Sequence, residues 1–100
     1  MARAHTAVEM ASLMTRRAAW EYDNKLPAGA SSNMAKYAAA EAAVHAVDAA
    51  VQTHGGNGIT QEYGMAGLLV AARAGRIAPV SREMILNFVA MHSLGLPKSY

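Results

Sequence analysis

From Ser32 to His54 the chain carries alanine on almost every side, and it then meets three glycines within four positions, Gly55, Gly56 and Gly58. That junction fixes the middle of any fold the chain can adopt. Alanine is the strongest helix former, whereas three glycines so close together cannot lie inside a helix. Glycine enters positive-φ conformations without a Cβ penalty, so Gly55 or Gly56 is a natural helix stop. Within the run, Tyr37, Ala40, Val44, Val47, Val51 and His54 recur at spacings of three and four. This makes one apolar stripe over about five turns. A second stripe, Met34, Ala38, Glu41, His45, Asp48 and Gln52, is more polar. The faces between them are nearly all alanine, which lets several neighbouring helices come close.

The flanking segments read as shorter partners of that helix. Ala2 to Asp23 forms a first helix with Val8, Met10, Leu13, Met14 and Trp20 as its apolar surface. Asn24 is a C-cap candidate, and Pro27 disfavours helix at Leu26. Ser31 or Ser32 is the expected N-cap of the alanine-rich helix. Thr60 can cap a third helix near Gln61 to Arg73, weakened by Gly64 and Gly67. Pro79 fits a first-turn position and Ser81 a cap for a fourth helix, whose apolar face is Met84, Ile85, Phe88, Val89 and His92. The tail from Leu96 to Tyr100 reads as extended. The expectation is one all-α domain over residues 1–100, an antiparallel helical bundle of three to four helices at about 2–23, 32–54, 61–73 and 80–93.

Composition narrows the chemistry. Hydrophobic residues make up 53% of the chain, which excludes disorder, and low β-branched and aromatic content favours helix. The net charge is +2, with basic residues scattered, so no patch tracks a nucleic-acid backbone. There is no cysteine, hence no disulfide framework or thiolate chemistry. No stretch reads as a signal peptide or membrane span, which fits a cytoplasmic protein. Glu41, His45, Asp48 and Gln52 share a helix face, but no second Glu-x-x-His unit completes a di-metal site. A solvated or inter-helix polar face accounts for them, and no metal site is expected. The unfilled alanine faces predict self-association or membership of a larger assembly.

Taken in order, several motifs resemble one family. Met34-Ala35-Lys36-Tyr37-Ala38-Ala39-Ala40-Glu41-Ala42-Ala43 precedes Ala49-Ala50-Val51-Gln52-Thr53-His54-Gly55-Gly56-Asn57-Gly58, and Glu62-Tyr63 follow. Arg17-Ala18-Ala19-Trp20 lies upstream. This order resembles the C-terminal helical domain of the acyl-CoA dehydrogenases, with its S-M-A-K start, Q-x-x-G-G-x-G helix end and E-Y.

The resemblance implies a FAD flavoenzyme that removes an α-proton from an acyl-CoA thioester and passes the β-hydride to the flavin. It implies a homo- or hetero-oligomer, whose partner is a second copy or a related dehydrogenase subunit. The chain would be an incomplete version of the family's C-terminal four-helix bundle. By the same resemblance, Gln52, Thr53, His54, Gly55 and Gly56 contact the FAD of a neighbouring subunit, and Ser81 and Glu83 match polar positions that touch FAD. One departure stands out. Where many members carry a Tyr followed by the catalytic Glu, this chain has Ala78 and Pro79, and Val70-Ala71 replace an Arg-Asp pair. Proline has no proton-accepting group. The base then comes from another segment, from a partner subunit, or from Glu83 one turn later. No catalytic residue is assigned, and the isolated chain is expected to be inactive. The alternative is a stand-alone helical association module without a cofactor.

Overall fold

The computed structural model describes residues 1–99; Tyr100, at the end of the expected extended tail, lies outside them. The chain is all-α. Helix α1 spans Ala2–Asp23, α2 Gly29–His54, α3 Met65–Ala74 and α4 Arg82–Leu94, with a 3-10 turn over Gly55–Ile59. Residues 95–99 have no regular structure.

α2 is the hub. Among the described residues, α1, α3 and α4 each pack on α2 and not on one another. α3 and α4 lie one after the other along the same side of α2. Lys36 bonds the Gly75 carbonyl at the end of α3, Arg82 at the start of α4 reaches Glu41, and Phe88 lies over Gly29. The result is a slab of three columns, with α1 on one flank, α2 in the centre and α3 followed by α4 on the other. Its extents are 46 × 31 × 20 Å. The radius of gyration is 15.9 Å, against about 13 Å for a compact domain of this length.

The helix ends follow local chemistry and shift several expected boundaries. Asn24 caps α1, its side-chain amide donating to the Trp20 carbonyl at 2.8 Å. α2 starts at Gly29 rather than Ser32, with Ala28 as N-cap and no side-chain cap bond. Ser31 is inside the helix and buried, and its hydroxyl donates sideways to Glu21 of α1. Gly55, at φ +58°, ends α2. α3 starts at Met65 rather than Gln61, because Gly64 at φ +68° holds the backbone out of the helix until that point. α4 starts at Arg82 rather than Val80, behind Ser81, whose hydroxyl accepts from the Met84 N–H at 3.4 Å. Pro79 therefore precedes the cap instead of occupying the first turn; its bond to Ala78 is cis. Gly95 closes α4 in the left-handed conformation, and the Leu96 N–H donates to the Ala90 carbonyl at 3.1 Å.

The buried centre is small and built mostly from alanine. Ala11 and Ala18 of α1 and Ala35 and Ala42 of α2 are buried where the two helices pack, and Ile85 of α4 is the largest fully buried side chain. Small residues let the two helix backbones approach closely, so α1 packs through its alanines. Of its expected apolar surface, Val8, Met10, Leu13 and Trp20 are instead exposed, Met10 at 64%, Leu13 at 62% and Trp20 at 59%, while Met14 is half-buried. The accessible surface is 6957 Å², whereas a compact monomer of this mass exposes roughly 5,400 Å². The excess of about 1,500 Å² compares with the roughly 800 Å² per partner of a standard protein interface.

The clasp between α1 and α2 carries a pH dependence. The Glu21 carboxylate accepts from the Ser31 hydroxyl and from Arg17 Nε at 2.9 Å. The Ser31 hydroxyl first, and then Arg17, hold its pKa below the ordinary carboxylate value. A carboxyl whose folded pKa is depressed stabilises the fold above its unfolded pKa, and that contribution is lost as pH falls through the folded value. The chain should therefore lose stability below about pH 4.3, the ordinary glutamate value. Glu21→Gln should remove that part of the pH dependence, as thermal melts across the acid range would show.

Candidate functional site

The end of α2 builds the first group of singled-out residues. Thr53 and His54 each turn one polar side-chain atom back onto the helix itself. Thr53 Oγ1 donates to the Ala49 carbonyl at 2.7 Å, and His54 Nδ1 lies 2.8 Å from the Ala50 carbonyl. The His54 ring also meets Tyr63 edge-on, with centroids 5.7 Å apart. Asn57 donates to the Tyr63 hydroxyl at 3.4 Å, and Thr60 Oγ1 donates to the Asn57 carbonyl at 3.0 Å. These contacts brace the turn from below. Gln52 is exposed, and among the described residues no group bonds its side-chain amide.

The glycines have different reasons to be glycine. Gly55 adopts φ +58°, which L side chains rarely reach. At Gly58 a Cβ would sit 2.5 Å from the Val51 carbonyl oxygen, so no larger residue fits against α2. Gly56 has neither constraint: its φ is not positive, and a Cβ there would meet nothing within 4 Å. The chain's own fold does not require glycine at that position. The turn thus offers an exposed, side-chain-free stretch of backbone beside a free amide, which is what close approach by another molecule needs.

The second group lies elsewhere. Ser81 caps α4, and Glu83 is in its first turn. The Glu83 carboxylate pairs with Arg82 Nε at 3.1 Å. Its own backbone N–H first, then Arg82 and Arg76, hold its pKa below the usual carboxylate value. A base so stabilised in its charged form is a poorer proton acceptor. Arg82 reaches Glu41, and Gly55 lies fourteen residues beyond Glu41, about 21 Å along α2 at 1.5 Å per residue. The structure therefore separates Ser81 and Glu83 from the glycine turn.

One cluster is not visible in the sequence pattern. Glu41 Oε1 lies 2.8 Å from Arg76 Nε and 3.8 Å from Arg82 Nη1. Arg73, Arg76, Ile77, Arg82 and Glu83 line a shallow cavity of about 270 Å³. Glu41, weighed above with His45 and Asp48 as a metal face, is engaged by two guanidinium groups, while His45 and Asp48 are exposed. Among the described residues, no group of three His, Cys, Asp or Glu side chains could hold a metal ion. No helix among them is long and apolar enough to cross a membrane.

Four helices with apolar side chains exposed on the flanks, and a braced glycine turn at one end, define an all-helical domain. The comparisons make the class specific. Residues 1–94 match the family model for the acyl-CoA dehydrogenase C-terminal domain. The chain is 60% identical over 102 residues to the acyl-CoA dehydrogenase FadE12 of Mycobacterium tuberculosis, covering 100% of this chain and 26% of that protein. It is 34% identical over 96 residues to acyl-CoA dehydrogenase family member 11 of Homo sapiens, covering 94% of this chain and 12% of that one. A probable acyl-CoA dehydrogenase of Bacillus subtilis, YngJ, is 34% identical over 77 residues, covering 77% of this chain and 20% of its own length. No solved structure matches. This chain belongs to the acyl-CoA dehydrogenase family and corresponds to its C-terminal domain.

Proposed function

We propose that this chain is the subunit-joining, flavin-facing end of an acyl-CoA dehydrogenase assembly. The observation that carries the reading is Gly56, a glycine that the fold does not need, next to the unpartnered amide of Gln52. The residues fit a dinucleotide at this place: the bare backbone of Gly55 and Gly56 permits close approach, and Gln52 can donate to or accept from a ribose or pyrophosphate oxygen. FAD, when bound, supplies the two-electron acceptor for α,β-dehydrogenation of an acyl-CoA. Thr53 and His54 shape the turn through their bonds to α2. Ser81 and Glu83, about 21 Å away along α2, meet a different flavin or a distant part of the same one.

The slab's open face serves the assembly. Ala39 and Ala43 are exposed between α1 and α3, flanked by cavities of about 380 and 350 Å³. A helix from outside this chain closes that valley, and neighbouring subunits cover the Met10, Leu13 and Trp20 face. The α-proton base lies outside the Arg76–Glu83 segment, because Pro79 offers no acceptor and Glu83 is committed to Arg82. Glu83→Gln should leave the rate of flavin reduction by acyl-CoA in the assembled protein within about twofold; loss of a true base costs roughly 10²–10⁴-fold. Rapid-mixing absorbance of the flavin is the measurement.

The proposal as a whole is tested on the native assembly, by its mass and its flavin content together. An oligomer holding FAD is the expected result. An oligomer of unchanged helical content that neither carries nor takes up FAD would overturn the flavin reading and leave the association module in its place.

A further inference from the structure

The loop between α3 and α4 is tied down at both ends by one carboxylate. Glu41 Oε1 sits 2.8 Å from Arg76 Nε at the start of the loop and 3.8 Å from Arg82 Nη1 at its end. The Arg82 N–H donates to the Arg76 carbonyl at 3.0 Å, closing the loop's neck. One turn earlier on α2, Lys36 donates to the Gly75 carbonyl. Among the described residues, no further ion pair or side-chain hydrogen bond links the segment Ile77-Ala78-Pro79-Val80-Ser81 to α2, and Ile77 is 63% exposed. The Ile77 and Ala78 N–H groups bond the Ala74 carbonyl at the end of α3, and on the α2 side the loop is held through Glu41 and Lys36.

From this arrangement we infer that Glu41 is a positioning residue, an electrostatic clamp that sets where the Ile77–Ser81 loop stands. The placement of Ser81 toward flavin rests on the function proposed above; the clamp itself does not. Charge carries the clamp. Glu41 Oε1 is shielded from solvent, yet neither guanidinium N–H is aligned with it for a hydrogen bond. An ion pair needs only proximity, whereas a hydrogen bond needs direction. The Arg76 side chain is 17% exposed and that of Glu41 33%, so water screens the pair only in part. Glu41→Gln, which keeps the size and polarity but not the charge, is thus the diagnostic change.

The test is amide hydrogen exchange on the purified native assembly, with bound flavin read by its absorbance on the same samples. Glu41→Gln should speed exchange in the segment from Arg76 to Arg82 by roughly tenfold. Protection across the α1–α2 hairpin should remain, and the flavin spectrum should shift as the loop loosens. Arg76→Gln breaks the same pair from the other side and should loosen the same segment. Unchanged exchange there in both variants overturns the clamp, whatever the flavin does. Equal loosening of the whole hairpin in both variants also overturns it, because Glu41 would then hold the fold at large. A loosened loop with an unaltered flavin spectrum and FAD content upholds the clamp and overturns the loop's place at the flavin.

Discussion

Replacing Gly56 with valine should strip FAD from the assembled protein and leave its helices intact. Each of the three glycines at the end of α2 gives a different outcome, and only Gly56 isolates the ligand. Valine at Gly55 would have to adopt φ +58°, and any side chain at Gly58 would run into the Val51 carbonyl, so both changes damage the turn itself. At Gly56 the backbone is unstrained and the nearest atoms are more than 4 Å from a new Cβ. Since a Cβ there meets nothing in the chain, the expected collision is with something that docks on the turn. Overpacking of this kind costs about 1–3 kcal/mol, which is a loss of roughly 5- to 150-fold in affinity. The measurement is flavin per protein after gel filtration, with circular dichroism as the check on helix content. Wild-type flavin content in Gly56→Val would remove the glycine turn from the flavin site. The companion change Gln52→Ala should weaken binding less, because it deletes one amide without inserting bulk.

Much of this arrangement is legible in the sequence, and the parts that are not share a cause. The all-helical class follows from alanine content and spacing, and the order of motifs around Gln52–Gly58 identifies the family. The buried side of α1 is harder to see. Its periodicity points to Val8, Met10, Leu13, Met14 and Trp20, whereas the residues it buries are Ala11 and Ala18, and of the five only Met14 is even half-buried. Hydrophobic periodicity marks every face that must leave water, including faces covered only by other parts of an assembly. It gives no contrast for a seam of alanines. The start of α2 is missed because Ser31 looks like a cap but bonds across to Glu21, a tertiary contact that no local pattern encodes. The Glu41 clamp is invisible for the same reason: its arginines lie on a later segment, with no helical period linking them to α2. Of the candidate site residues, the sequence names them and the structure divides them into two groups on either side of a long stretch of α2.

The largest loss of stability should come from Ile85→Ala. Ile85 is 1% exposed and is the largest fully buried side chain, while the rest of the buried hydrophobic centre is alanine. Among the described helices α4 packs only on α2, so it has no other helix to fall back on when that side chain is cut. Truncating a buried isoleucine costs about 2–5 kcal/mol. For a domain of this size, each kcal/mol lowers Tm by roughly 4–8 °C, so a fall of about 10 °C or more is expected. The loss should also be local first. α1 and α2 keep their alanine seam and the Glu21–Ser31 clasp, whereas α4 loses its anchor beside Phe88 and Gly29. Hydrogen exchange should therefore show α4 amides deprotected well before those of the hairpin. Leu86→Ala is the control, because Leu86 is 44% exposed in this chain and its removal opens no cavity there. Should Leu86→Ala cost as much as Ile85→Ala in the native assembly but not in the chain alone, the exposed side of α4 is part of the covered interface. Should both be harmless in the chain alone, α4 is not held on α2 by Ile85.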